Sequence, residues 1–156
     1  MNGPLALALL LLAAPAAPAP EPVFVDRAAA WGLDFRYTNG RTGELYFPEI
    51  MGGGAALFDY DGDGDLDAFL VQGHPLGKPP AGKGGRLFRN DLIAGGKRQP
   101  EPRFVDVTEA ALIRATGYGM GAAVGDFDND GDEDIAVSAF GVDLIYVHLN
   151  NGDGTF

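Results

Sequence analysis

The chain contains the acidic nine-residue stretch Asp59-Tyr60-Asp61-Gly62-Asp63-Gly64-Asp65-Leu66-Asp67. The same pattern returns 67 residues later as Asp126-Phe127-Asp128-Asn129-Asp130-Gly131-Asp132-Glu133-Asp134. Both windows read Asp-x-Asp-x-Asp-Gly-x-x-Asp. Carboxylates at every second position repel one another unless a cation lies among them. The pattern therefore predicts two metal-binding loops.

Calcium suits these loops because it takes about 6–8 oxygen ligands. The predicted ligands of the first ion are the carboxylates of Asp59, Asp61, Asp63 and Asp67 and the backbone carbonyl of Asp65. Those of the second ion are the carboxylates of Asp126, Asp128, Asp130 and Asp134 and the carbonyl of Asp132. The sixth position is glycine in both loops, which allows a sharp turn with positive φ. We expect about two Ca²⁺ ions.

The acidic windows have two other interpretations, and the sequence disfavours the first of them. An EF-hand needs a glutamate at loop position twelve and helices on both sides, but that position holds Leu70 and Val137. The second alternative is a solvated acidic turn that binds no metal. A calorimetric titration with calcium distinguishes it from a metal site.

Short apolar runs bounded by turn residues flank each loop and predict strands. They lie at residues 54–58 and 68–71 around the first loop and at 121–125 and 135–138 around the second. Further strands are expected at 86–90 and 144–151, and short helical turns at 28–31 and 108–113. The connections 73–85 and 91–102 are predicted to be loops, either disordered or functional.

A second element also recurs, because Phe24-Val25-Asp26 is similar to Phe104-Val105-Asp106. Each repeat thus offers about four short strands, which a propeller blade requires. The predicted fold is all-β: a partial β-propeller of four-stranded antiparallel blades. Five aromatic residues are expected to pack between blades rather than to stack on a sugar: Trp31, Phe35, Tyr37, Tyr46 and Phe47.

The amino-acid composition disfavours several classes of partner and chemistry. The chain has 22 acidic and 11 basic residues and a net charge of -11. This balance disfavours nucleic acid and anionic membranes as partners, since both demand basic patches. The absence of cysteine excludes disulfides, thiol catalysis and thiolate metal sites.

Residues 1–20 hold an apolar run followed by alternating alanine and proline, which predicts a secretory signal peptide. A disordered tail is the alternative. The run is too short to span a bilayer, so no membrane insertion of the mature chain is expected. The repeat region then covers residues 21–156. The protein is predicted to be secreted, periplasmic or on the cell surface.

With these motifs in hand, the chain resembles the FG-GAP/VCBS family of calcium-binding β-propeller repeats, known from integrin α-subunits. Residues 48–67 are particularly similar to the cartilage acidic protein and ASPIC/UnbV-associated branch. Residues 150–156 resemble the turn that closes a repeat. About two repeats are present, so an open fragment with further blades downstream is expected.

The resemblance implies a metal-stabilised binding or adhesion scaffold for a protein or carbohydrate. The alternative is the non-catalytic propeller portion of a larger extracellular hydrolase or lyase that acts on polysaccharides or lipids. His74, His148 and Ser138 lie in a turn and in predicted strands, without a catalytic pattern around them. We therefore predict no catalytic residue, no organic cofactor and no enzymatic activity.

Overall fold

The computed structural model describes residues 24–78, 84–114, 117–141 and 144–156. The predicted signal peptide at residues 1–20 lies outside the described residues. Within the described ranges, the regular structure comprises a 3-10 turn at Phe47–Ile50 and nine strands: β1 Ala55–Phe58, β2 Asp67–Leu70, β3 Arg86–Asn90, β4 Ile93–Ala94, β5 Lys97–Arg98, β6 Phe104–Asp106, β7 Tyr118–Gly125, β8 Asp134–Phe140 and β9 Leu144–His148.

The strands form two blade-like antiparallel sheets. The first has the order β1-β2-β3-β6, the second has the order β7-β8-β9, and β4 and β5 form a separate hairpin. The prediction of an all-β fold, a partial β-propeller, is confirmed. The first sheet has the four strands predicted for a blade, whereas the second has three within the described residues. No helix long and apolar enough to cross a membrane occurs in the described part of the chain.

Each acidic loop is the turn of a hairpin, as the flanking apolar runs predicted. Phe58 pairs with Asp67 where β1 meets β2, and Gly125 pairs with Asp134 where β7 meets β8. The last aspartate of each loop is thus also the first residue of the following strand. Because strand pairing fixes the ends of the loop, its carboxylates are held close together.

The hydrophobic core fills the space between the two sheets. The first sheet and its acidic loop contribute Phe58, Tyr60 and Phe69, and β8 contributes Ile135 and Val137. All five are nearly or fully buried. This packing joins the two blades into one body and brings their acidic loops to the same rim.

Two hydrogen-bonded turns recur at equivalent places, as the sequence predicted. The N–H of Trp31 donates to the carbonyl of Arg27, and the N–H of Ala111 donates to that of Val107, so each bond joins residues four positions apart. Each turn then accepts a bond from a later phenylalanine: Phe104 donates to the carbonyl of Trp31, and Phe156 to that of Ala111. The second repeated element of the sequence therefore forms a turn with the same backbone hydrogen bonds in both repeats.

Two expectations were wrong. The connection 91–102 was expected to be a loop, but it contains the hairpin β4–β5. Gly95 and Gly96 have φ of 58° and 72°, which fits the tight two-residue turn that glycine pairs favour. Tyr46 and Phe47 were expected to pack between blades, but their exposed fractions are 45% and 66%. The 3-10 turn at Phe47–Ile50 leaves them on the surface.

Candidate metal centres

The first aspartate of each acidic loop organises the loop around its carboxylate. Asp59 accepts the N–H of Asp63 on Oδ1 and that of Gly64 on Oδ2, at 3.1 and 2.9 Å. Asp126 accepts the equivalent N–H groups of Asp130 and Gly131, both at 3.1 Å. These bonds curl the backbone so that the third and fifth residues turn their carboxylates toward the first.

Both loops bring together three carboxylates. The groups are Asp59, Asp61 and Asp63 in the first loop and Asp126, Asp128 and Asp130 in the second, and one oxygen from each residue lies within 4.8 Å of the others. Calcium binds oxygen at about 2.3–2.6 Å, so oxygens on opposite sides of one ion lie about 5 Å apart. The donor set and its spacing therefore fit a calcium ion in either loop.

The glycine at the sixth position has the conformation that the sequence predicted. Gly64 has φ of 90° and Gly131 has φ of 101°. This left-handed conformation allows the N–H of each glycine to point back to the first aspartate of its loop. The residues at the fourth position, Gly62 and Asn129, also have positive φ, 71° and 63°.

The last aspartate of each loop closes the loop and lies outside the group of three. Asp67 accepts the N–H of Tyr60 and that of Asn90, at 2.9 and 2.7 Å. Asp134 accepts the N–H of Phe127 and that of Asn150, both at 2.7 Å. A carboxylate has about four lone-pair positions, so two backbone bonds leave capacity for a cation.

The seventh residue of the loop was predicted as a carbonyl ligand, and its side chain differs between the loops. The carboxylate of Asp65 accepts the N–H of Ile93 at 2.7 Å on Oδ2, while its buried Oδ1 has no partner among the described residues. Asp65 thus connects the first loop to the β4–β5 hairpin. In the second loop, Asp132 lies against Gly152 instead.

Burial and like charge raise the pKa of several loop carboxyls. Burial raises the pKa of Asp67 to about 7, although the N–H groups of Asn90 and Tyr60 favour its ionised form. For Asp61 and Asp128, burial and then the neighbouring aspartates raise the pKa. Both causes disfavour the ionised forms in the ion-free loop. A bound cation would relieve them, since it favours the charged carboxylate.

Two asparagines at the ends of the third strands support the loops, and sequence reasoning missed them. Besides their backbone bonds, Asn90 donates its amide to the carbonyl of Leu66 at 3.1 Å, and Asn150 donates to that of Glu133 at 3.3 Å. Both asparagines are buried. The signal was present in the sequence as an asparagine at or just after the end of each third strand, in Arg89-Asn90 and Leu149-Asn150.

The first loop lies beside an open cleft. This cleft, about 420 Å³ in volume, is lined by Asp61 and Asp63 on one side and by the β4–β5 hairpin on the other. Arg89 lies at its edge, where its Nε is 2.7 Å from the carboxylate of Asp91. Asp65 and this cleft thus place the first candidate metal centre against the β4–β5 hairpin.

The three residues considered for catalysis lie against backbone carbonyls, an aromatic ring or a paired strand. The Nδ1 of His74 lies 3.0 Å from the carbonyl oxygen of Pro75, and its ring packs against Tyr118. His148 lies in β9 opposite Ile135, and Ser138 lies in β8 with its hydroxyl 3.5 Å from the carbonyl oxygen of Gly121.

Two antiparallel blades, each with an acidic loop at its first hairpin, define a repeat protein of the β-propeller type. The sequence profile of the FG-GAP-like repeat matches residues 59–137, just over half of the chain. The chain therefore belongs to the FG-GAP repeat family, whose repeats are generally non-catalytic scaffolds and typically extracellular. Comparisons with curated proteins and with solved structures gave no significant match.

Proposed function

We propose that this chain is a secreted, calcium-stabilised module that serves as a binding or adhesion scaffold for protein or carbohydrate. Two Ca²⁺ ions lie in the loops 59–67 and 126–134 and hold the hairpins of neighbouring blades rigid. The finer assignment is to the VCBS and ASPIC/UnbV-associated branch of the family. The protein has no enzymatic role of its own, and its acidic surface does not bind nucleic acid.

The main support for the proposal is that the two loops have the same arrangement of carboxylates and glycine. Each has three carboxylates with oxygens within 4.8 Å and a glycine with φ near 90–100° at the same position. Without a cation, three such carboxylates repel one another at close range. Two independent copies of that arrangement favour a metal site over a solvated acidic turn.

The role of the metal follows from where the loops lie. Each loop closes a hairpin whose strands line the core between the blades, so an ion in the loop stabilises the folded hairpin over the unfolded chain. At a concentration of a hundred times the dissociation constant, one site stabilises the fold by about 2.7 kcal/mol. The surface loops of the rigid blades are then free to bind a partner.

Thermal unfolding in calcium and in EDTA tests the proposal. We expect EDTA to lower the melting temperature of the wild-type chain and to have less effect when Asp61→Ala and Asp128→Ala are combined. Glu44→Gln removes one negative charge from an exposed turn and serves as the control. Equal melting temperatures of the wild type in calcium and in EDTA would refute a structural role for the metal.

A further inference from the structure

The two acidic loops are connected by direct hydrogen bonds. The carboxylate of Glu133, the eighth residue of the second loop, accepts the N–H of Asp59 at 3.1 Å. The amide of Asn150 donates to the carbonyl of Tyr60 at 2.8 Å. Asp59 and Tyr60 are the first two residues of the first loop. Both bonds therefore act on the residues that begin the first candidate metal centre.

The two side chains that make this connection, the acceptor Glu133 and the donor Asn150, belong to the framework of the second loop. Glu133 stands between Asp132 and Asp134, and the N–H of Asn150 donates to Asp134 at 2.7 Å. The amide of Asn150 also reaches the carbonyl of Glu133 at 3.3 Å. When the second loop is ordered, Glu133 and Asn150 are held in position together.

The glutamate contact is a feature of this pair of loops and does not follow from the repeated pattern. The residue equivalent to Glu133 in the first loop is Leu66, which has no carboxylate and is 55% exposed. The connection is thus asymmetric: the eighth residue of the second loop contacts the first residue of the first loop, and the first loop has no carboxylate at its own eighth position.

We infer that the two loops bind calcium cooperatively through Glu133, whose backbone Asn150 helps to hold in place; the inference rests on the proposed calcium function. An ion in the second loop fixes Glu133, and Glu133 in turn fixes the backbone N–H of Asp59 before the first ion binds. The first loop then loses less conformational freedom on binding, so its affinity rises. By thermodynamic linkage, an ion in the first loop raises the affinity of the second by the same factor.

A purely electrostatic effect of Glu133 has to be separated from coupling. A negative charge beside the first loop would raise its calcium affinity even if the second loop were empty. Glu133→Gln removes the charge and keeps an oxygen that can accept the N–H of Asp59, whereas Glu133→Leu removes both. Coupling through the hydrogen bond predicts that the glutamine variant keeps most of the cooperativity and that the leucine variant loses it.

The residue at the second position differs between the two loops, and this difference can be used to detect bound terbium. Terbium binds oxygen-ligand calcium sites and luminesces when a nearby tyrosine is excited. The first loop has Tyr60 at this position, and the second has Phe127. Tyrosine-excited terbium luminescence that remains in Asp128→Ala and is lost in Asp61→Ala reports the first loop, and its loss in Tyr60→Phe identifies Tyr60 as the excited ring.

The experiment is a terbium titration of the full chain, with calcium competition, for the wild type and for Asp128→Ala, which disables the second loop. We expect Asp128→Ala to weaken terbium binding at the first loop by roughly fivefold. Glu133→Leu weakens it by a similar factor, and Asp128→Ala added to Glu133→Leu has no further effect. Glu44→Gln is the control for net charge.

Two results overturn the inference in distinguishable ways. If the first loop binds terbium with the same midpoint in the wild type and in Asp128→Ala, the coupling is refuted and the proposed calcium function stands. If calcium and terbium bind to neither loop, both proposals fail. Calorimetry of Glu133→Leu in an Asp61→Ala background shows whether the second loop still binds calcium. Circular dichroism in EDTA verifies that each variant is folded.

Discussion

Gly54 and Gly121 occupy the same position in the two repeats and meet at the boundary between the blades. A Cβ atom built on Gly54 would lie 2.7 Å from the Cα of Gly121 and 3.0 Å from the N of Ala122. Since both contacts are with backbone, no side chain can move aside. The close approach of the innermost strands, β1 and β7, therefore requires glycine at residue 54.

Gly54→Ala is expected to destabilise the chain by about 1–3 kcal/mol, because the two blades must separate to admit the methyl group. Chemical denaturation measures the difference. Gly52→Ala is the matched control, since a Cβ on Gly52 would meet no atom of the described residues within 4 Å. Equal losses in the two variants would show that the blades do not pack as described.

Asn150→Ala is expected to destabilise the chain by about 1–3 kcal/mol, because the carbonyls of Tyr60 and Glu133 lose their amide donor. Asn151→Ala serves as the control. Among the described residues its amide donates to exposed atoms of Thr155, so its removal should cost less than about 0.5 kcal/mol. A loss no larger for Asn150→Ala than for Asn151→Ala would argue against a supporting role for the buried asparagine.

His148 makes stability depend on pH. Burial lowers the pKa of His148 below its usual value of 6.5, and its Nε2 is buried without a partner among the described residues. The folded state favours the neutral ring, so this contribution is full above pH about 6.5. It is lost as pH falls below that value, because the unfolded chain then binds the proton more readily.

His148→Phe is expected to remove that contribution to the pH dependence. Phenylalanine occupies the equivalent place in the first blade, where Phe88 pairs with Ala68 as His148 pairs with Ile135. The gain in stability over the wild type should be larger at pH 5.5 than at pH 8, as measured by denaturant unfolding. An identical gain at both pH values would mean that the ring is not held neutral.

Gly131→Ala tests the backbone of the second loop. In the part of the chain that the structure describes, a Cβ on Gly131 would meet no atom within 4 Å, but its φ of 101° is strained for any residue with a side chain. We expect a loss of about 1 kcal/mol or more in stability and weaker calcium binding. Gly125→Ala, which meets Phe127 only at ordinary contact distances, should change neither. Unaltered stability in Gly131→Ala would show that the turn tolerates a side chain.

Much of this architecture could be predicted from the sequence because its signals are local. The spacing of the aspartates, the glycine at the sixth position and the apolar runs around each loop predicted the hairpins, and β3 begins and ends where the sequence indicated. The three-carboxylate groups in each loop follow from the same spacing. Local patterns are sufficient where the chain bonds to its own near neighbours.

The features that the sequence did not reveal depend on contacts between distant residues. Asn150 bonds to Tyr60 across 90 positions, and Asp59 bonds to Glu133 across 74. Neither pair carries a pattern of its own. The β4–β5 hairpin was missed because its strands have only two residues each, and Tyr46 and Phe47 are exposed although aromatic residues usually indicate packing.

Isothermal titration calorimetry measures whether the two loops bind calcium. We expect two calcium ions per chain for the wild type and one for Asp61→Ala or Asp128→Ala alone. A wild-type chain that is folded and takes up no calcium in the millimolar range would show that the loops are not calcium sites.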